Sequence, residues 1–488
     1  MTEEEVRKQG EELRDLKEQL AKKDQRIEEL EAYLMRALLR IEELERRLGK
    51  DSHNSSKPPS SDGLGRKPGK ARKKSEKRSG GQKGHQGTSL LQVRTPDEIR
   101  SHRPTHCEVC QFDLQQEVGR VKERRQIHDI PEIRLHVREH HVEEICCPAC
   151  QHLTRARFPA GVDAPAQYGP NVQALAVYLS QFQLLPMART CEVLEDLCQC
   201  HLSEASLVNW IGEAATHLEP TIQRLKALFI SGKFQHADET GIRVKGLLHW
   251  VHVNATQWLT LYSWHRKRGH EALESIGIWP QFQGRAMHDR WSSYDRYSCT
   301  HSLCGAHLLR DCLYVAEQEK QPWAQSMFDL LLAMNKAAEY WRTQGAKAIP
   351  KAERDDWIAR YFATLASGLS RYTAQAPPID DRIPKKVGRK KQDASKNLLD
   401  ALLYRAENIL YFLDDLSVPF TNNQAERDLR MIKVQQKISG TFRSPEGATA
   451  FCIIRSYLAT MRKQGRSMME AMAAVFTGTP FPVAWAPE

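Results

Sequence analysis

At Phe234 the hydrophobic pattern of this chain changes from the period of helices to the period of strands, and that change dictates a mixed sheet. Upstream, residues 168–230 read as helical, with breaks at Gly169-Pro170 and Leu185-Pro186. Downstream, Lys233–Val244, His249–Asn254 and Trp258–His265 alternate as three strands. A helix is expected over Gly269–Ile278, a fourth strand over Gly284–His288, and a short strand near Ser302–Ala306 with helix after it. Close-spaced strands pair antiparallel, whereas a strand that follows a helical crossover returns parallel. Residues 310–410 read as long helices polar on one face, interrupted by Pro377-Pro378, and helix dominates again to about residue 475.

Three acidic residues ride on this frame. Asp238 lies in Phe-Gln-His-Ala-Asp-Glu-Thr-Gly and is expected to end the first strand, with Thr240-Gly241 turning the chain. Asp289 follows the fourth strand, and Glu426 lies near the start of a helix. That helix is expected to open on a capping box, with Thr421 as the cap and Gln424 as its N3 partner. Any one of the three alone reads as turn chemistry or helix-dipole complementation. Together, in this order, they match an RNase H-like α/β core, whose first and fourth strands are neighbours and let Asp238 and Asp289 converge. Carboxylates on such mounts suit a pair of divalent cations ~3.5–4 Å apart, the arrangement for phosphoryl transfer. Hard oxygen ligands favour two Mg²⁺ or Mn²⁺ ions. Glu239 is the weaker choice because it points to the opposite strand face, and Asp295 because it falls in a predicted helix. Arg430 and Lys433, at i+4 and i+7 from Glu426, share its face and are candidate phosphate contacts.

The N-terminal third carries different signals. Val6, Leu13, Leu20, Ile27, Leu34, Ile41 and Leu48 recur every seven residues, the mark of a left-handed coiled coil. Glu12–Lys17, Arg26–Glu31 and Arg40–Glu45 would pair across a parallel homodimer; a single helix lying on the protein is the other reading. Residues 50–65 are a Ser/Pro/Gly linker. Much of the formal charge of +10 is local: residues 50–87 hold 11 Lys/Arg against 3 Asp/Glu, a net +8. Lys67, Lys70, Arg72, Lys73 and Lys74 are therefore candidate DNA contacts in an arm expected to be disordered until bound. Lys385, Lys386, Arg389, Lys390 and Lys391 form a second basic cluster, either phosphate-binding or a solvated loop.

Cys107-x-x-Cys110 and Cys147-x-x-Cys150 have the pair spacing of a structural Zn²⁺ site, with Cys146 as an alternative ligand. Arg125–Ile130 and Arg134–Glu143 read as strands between the pairs. Twelve cysteines without an export signal point to a reducing compartment, and no apolar run reaches the roughly 18 residues that span a membrane. A cytoplasmic, nucleoid-associated chain is expected. Cys304-x-x-His307 are candidate active-site neighbours, either near the metals or merely packed. Trp291 and Tyr294 read as core residues or as DNA contacts.

The ordered series Asn54-Ser-Ser-Lys-Pro-Pro-Ser-Ser-Asp62, Gly80-Gly-Gln-Lys-Gly-His-Gln-Gly87, Ala166-Gln-Tyr-Gly169, Asp238-Glu-Thr-Gly241, His288-Asp-Arg-Trp-Ser-Ser-Tyr294, Cys304-Gly-Ala-His-Leu308 and Asn422-Asn-Gln-Ala-Glu-Arg427 resembles the insertion-sequence-66 type of DDE transposase from bacterial mobile elements. The resemblance implies a catalytic triad of Asp238, Asp289 and Glu426, hydrolysis at element ends and attack of the freed 3′-hydroxyls on target DNA. It also implies a zinc-binding module and partner proteins encoded by the same element. A non-catalytic DNA-binding regulator and a structure-specific nuclease are the rival readings. The resulting layout is a coiled coil over 1–49, a basic arm over 50–99, a zinc module over 100–160 and a connecting helical domain over 161–232. The catalytic core follows over 233–309 and 416–450, split by a helical insertion over 310–415, with a helical segment over 451–488.

Overall fold

A computed structural model describes residues 20, 22–38, 40, 41, 44, 89–374 and 393–485. Most of the heptad, the basic residues Lys67, Lys70, Arg72, Lys73 and Lys74, and the cluster Lys385, Lys386, Arg389, Lys390 and Lys391 lie outside the described residues. Residues 22–38 are helical, and Ile27, Leu30, Leu34 and Leu38 along them are exposed. The chain divides into two compact units, one of residues 67–163 with 192–201 and one of the remainder.

The cysteine-bearing unit contains one hairpin, β1 (Glu144–Cys146) antiparallel to β2 (Leu153–Arg155). Its two Cys-x-x-Cys segments are near copies of one turn. The Cys107 N–H donates to the Phe112 carbonyl (2.9 Å) and the Gln111 N–H to the Cys107 carbonyl (3.0 Å). The Cys147 N–H donates to the His152 carbonyl (2.9 Å) and the Gln151 N–H to the Cys147 carbonyl (2.8 Å). Gln111 and Gln151 both take the left-handed conformation that closes the turn, at φ 60° and 58°. The strands expected over Arg125–Ile130 and Arg134–Glu143 are not formed. Their alternation finds neither a strand partner nor a core: Ile127, Ile130 and Val137 are exposed.

In the other unit, α1 (Pro170–Val177) starts on its proline at the expected break, and a π-turn (Tyr178–Phe182) follows it. The Leu185-Pro186 break precedes α2 (Met187–Cys198), whose residues from Glu192 on are counted with the cysteine-bearing unit. The long α3 (Glu204–Ser231) is capped by Ser203, whose hydroxyl accepts the Ser206 N–H, and buries Leu207, Ile211, Leu218, Ile222 and Leu225 on one stripe.

The sheet then forms in the expected order. β3 (Phe234–Val244) and β4 (Leu247–Ala255) are antiparallel, joined by Lys245-Gly246, both at positive φ as a two-residue hairpin needs. β5 (Thr260–His265) pairs antiparallel with β4. Helix α4 (His270–Ile276) crosses to β6 (Arg285–His288), which runs parallel to β3, and β7 (Thr300–Leu303) runs parallel to β6. The spatial order is β5-β4-β3-β6-β7. Helix α5 (Gly305–Gln318) follows.

Among the described residues, four helices come next: α6 (Pro322–Thr343), α7 (Lys351–Ala374), α8 (Ala394–Tyr404) and α9 (Ala406–Leu410). They bury Met327, Leu331, Met334, Tyr361, Leu399 and Leu402 in a core shared with Leu308 and Val315 of α5. Burial contributes roughly 1.5–3 kcal/mol for each fully buried large apolar side chain in this shared core. A bidentate Arg405–Asp295 pair, at 2.6 and 2.9 Å, ties it to the loop after β6.

The chain returns as α10 (Asn423–Ser439), α11 (Pro445–Lys463) and α12 (Met468–Phe476). Helices α10 and α11 cover one sheet face: Leu429, Ile432 and Phe451 pack with Ile242, Val251, Val253 and Tyr262.

Candidate active site

Asp238 does not end its strand. β3 continues through Thr240 and Gly241, opposite Val251 and Trp250, to Val244. What ends is the parallel pairing: β6 accompanies β3 only from Phe234 to His236. Asp238 therefore sits just past the end of its parallel neighbour, and Asp289 is the first residue beyond β6. Alternation along β3 puts Asp238 on the face of His236, and Glu239 on the other.

Asp289 is held by backbone and side chain. Its carboxylate accepts the Trp291 N–H at 2.9 Å. Its carbonyl accepts a hydrogen bond from Nδ1 of the fully buried His288, whose Nε2 lies 2.9 Å from His301 Nδ1. Burial pushes His288 down to about 3, so it stays neutral.

Glu426 lies in the first turn of α10, but the expected capping box is absent. The cap is Asn422, without a side-chain capping bond, and Gln424 donates to Asp428 at 3.2 Å instead. The Asn422 side chain is recruited elsewhere. Its amide nitrogen donates to the Ala237 carbonyl (2.8 Å), and its amide oxygen accepts from His236 Nδ1 (2.9 Å). Its backbone N–H donates to Cys304 Sγ (3.2 Å). One fully buried side chain thus pins the start of α10 to β3 beside Asp238. Gly305 permits the same closure from α5. A Cβ there would overlap the Phe420 ring, and the Gly305 N–H donates to the Phe420 carbonyl at 2.8 Å.

Asp238 feels the other two carboxylates. Burial holds the Asp238 carboxyl well above its ordinary range, and Glu239, Asp289 and Glu426 push it the same way; the Glu239 N–H bond to its oxygen opposes them. Glu426 Oε1 is buried without a hydrogen-bond partner. A buried, raised Asp238 carboxyl and an orphaned Glu426 oxygen fit divalent cations, which would supply the missing positive charge.

Glu239 is engaged differently. Arg268 donates to its Oε1 at 2.8 and 2.5 Å, and the Tyr294 hydroxyl donates to Oε2 at 2.6 Å. Arg268 itself lies 5.0 Å from the Trp250 ring and 4.3 Å from the Trp291 ring. Burial first, then Asp289, raises the Glu239 carboxyl, while Arg268 and Tyr294 oppose them. Tyr294 is buried, and Trp291 is half-buried against Arg268. Asp295 is occupied by Arg405 and lies in a short 3-10 turn (Tyr294–Arg296), not in an α-helix.

Cys304 caps α5, and His307 lies in its first turn. His307 Nδ1 is 3.8 Å from Glu426 Oε1. Burial, and secondarily Arg310, lowers the pKa of His307, while burial raises the Cys304 thiol to about 11. Among the described residues, Cys304, His307 and Glu426 are the only three whose ligand atoms all lie within 4.8 Å of one another. Neither the triad carboxylates nor Cys107, Cys110, Cys147 and Cys150 are gathered that closely. In each cysteine turn, hydrogen bonds from the backbone of the last two residues lower the pKa of the first cysteine, Cys107 or Cys147. Cys146 lies beside them at the end of β1, its thiol 3.5 Å from the Gln151 carbonyl.

Arg430 is exposed. Lys433 is not: its ammonium donates to the Gly241 carbonyl at 2.9 Å, and burial lowers its pKa. Sequence reasoning assigned no role to Asn422, His236 or Arg268. The first stood inside a recognisable motif, and the second sits two residues before Asp238 on the same strand face. Nothing in the sequence pointed to Arg268.

A family model described as Transposase IS66 family matches residues 165–450, more than half of the 488-residue chain and a span that includes Asp238, Asp289 and Glu426. A second model, described as a family of unknown function, matches residues 1–90. No curated protein matches the chain. No helix among the described residues is long and apolar enough to cross a membrane.

Proposed function

Because the chain belongs to the IS66 family of transposases, we propose that it cuts DNA at the ends of an insertion element and joins the freed 3′-hydroxyls to target DNA, using Asp238, Asp289 and Glu426. The observation that carries this reading is that the buried Asp238 of β3, its carboxyl raised by burial first, also feels the charges of Asp289 at the end of β6 and Glu426 in the first turn of α10. The order β5-β4-β3-β6-β7, with the first three strands antiparallel and the last two parallel to β3, supports an RNase H-like core.

The three carboxylates would hold two Mg²⁺ or Mn²⁺ ions, which when bound supply activation of the attacking oxygen and neutralisation of the leaving one. The remaining work falls to the chain. Asn422 fixes Glu426 relative to Asp238, His288 fixes the backbone of Asp289, and Arg268 with Tyr294 keeps Glu239 out of the ligand set. Exposed Arg430, one turn beyond Glu426, is placed to neutralise a phosphate.

The apolar row exposed along residues 22–38 supports a parallel coiled-coil homodimer, which would hold two DNA ends together. The two matching cysteine turns each present a pair of sulfurs, and structural Zn²⁺ across Cys107, Cys110, Cys147 and Cys150 is the reading they support. Partner proteins from the same element fit the family. The test is incubation of the full chain and Mg²⁺ with labelled element ends and a target plasmid. Joined products are expected; nicking without joining would favour a nuclease, and neither product would refute catalysis by this chain.

A further inference from the structure

Cys304 and His307 are three residues apart at the start of α5, so they share a helix face, and Glu426 meets them from the first turn of α10. Their ligand atoms lie within 4.8 Å of one another. His307 Nδ1 and Glu426 Oε1 are both buried, 3.8 Å apart, and neither has a hydrogen-bond partner. Leaving two such atoms unpaired is costly. A tetrahedral ion with bonds of about 2.0–2.3 Å holds its ligands roughly 3.3–3.8 Å apart, so closing on one needs little movement. A sulfur, an imidazole nitrogen and a carboxylate oxygen form a ligand set for Zn²⁺, not for Mg²⁺.

We propose that Cys304, His307 and Glu426 form a Zn²⁺ site that takes Glu426 away from the catalytic carboxylates and so inhibits DNA joining. Zn²⁺ displaces the Cys304 thiol proton to solvent and binds the thiolate, which keeps the Asn422 N–H as a donor. Three protein ligands leave one position open. The inhibitory consequence rests on Glu426 being catalytic; the binding does not.

The test measures zinc per chain on reduced, full-length protein equilibrated with buffered free Zn²⁺. C304S and H307Q should each bind one equivalent less than wild type. Equal zinc content in wild type and both folded variants would overturn the site. Should either variant misfold by circular dichroism, zinc-edge anomalous diffraction from wild-type crystals grown with Zn²⁺ decides: a peak among the three side chains supports the site, and its absence overturns it. Wild-type joining in Mg²⁺ should fall as this equivalent binds, and joining that persists at full occupancy overturns the inhibitory role. A wild type that never joins DNA in Mg²⁺ alone refutes the catalytic reading, while its zinc content still decides the site.

Discussion

The carboxylate-bearing sheet and the cysteine-bearing unit are organised on opposite terms. Val251 and Ala255 in the sheet and Ile432 of the helix packed on it are fully buried, and Asn422 reaches its partners from 185 and 186 residues away. In the cysteine unit, Val109 is 93% exposed and Val118 99%, and between residues 100 and 160 the described hydrogen bonding centres on two local turns and a hairpin of two three-residue strands. The sheet positions its functional groups through a packed interior. The cysteine unit shapes two pairs of sulfurs without one, and the Zn²⁺ proposed across them would supply the folding energy.

If Zn²⁺ joins the two cysteine pairs as proposed, its removal has the largest effect. Chelation, or Cys107→Ser, should abolish protease resistance across residues 100–160 and leave the thermal transition of the sheet unchanged. A shared loss, or none, would show that the two regions do not differ as described. The next largest effect belongs to Asn422→Ala. It strips His236 and the Ala237 carbonyl of their partners, at about 1–3 kcal/mol for each buried group. Denaturant unfolding should show a loss of about 2–6 kcal/mol, and joining should fall with it.

The carboxylate cluster gives a signed pH effect. The raised carboxyl of Asp238 means the native state keeps a proton that the unfolded chain releases near pH 4. Stability without metal should therefore fall as pH rises from about 4 through that raised value. Asp238→Asn should melt higher than wild type in EDTA at neutral pH, yet fail to gain from added Mg²⁺. An unchanged melting temperature would contradict the cluster. The smallest effect is expected for Arg430→Gln: DNA affinity weakens, and the slope of log affinity against log salt becomes shallower by about one.

Much of the sheet was legible in the sequence because period-two alternation survives from β3 to β6. The same alternation separated Asp238 from Glu239, and Glu239 is indeed bound to Arg268 and Tyr294 on the other face. What alternation cannot report is pairing. It put Asp238 at a strand end, where the true boundary is the end of β6 alongside β3. It also suggested strands over Arg125–Ile130 and Arg134–Glu143, where no partner exists. The capping box failed because the side chain next to Thr421 serves a long-range contact instead of its own helix. Lys433 shares the face of Glu426 by spacing, yet the Gly241 carbonyl, 192 residues away, takes its ammonium.

Asp238, Asp289 and Glu426 are proposed to act as one site. Strand joining of labelled ends in Mg²⁺ by Asp238→Asn, Asp289→Asn and Glu426→Gln, with DNA binding measured alongside, tests it directly. Each single change should reduce joining by at least about 10³-fold while binding persists, and pairing two changes should add little, as for groups that act as a unit. Normal joining by any one of the three variants would contradict the claim.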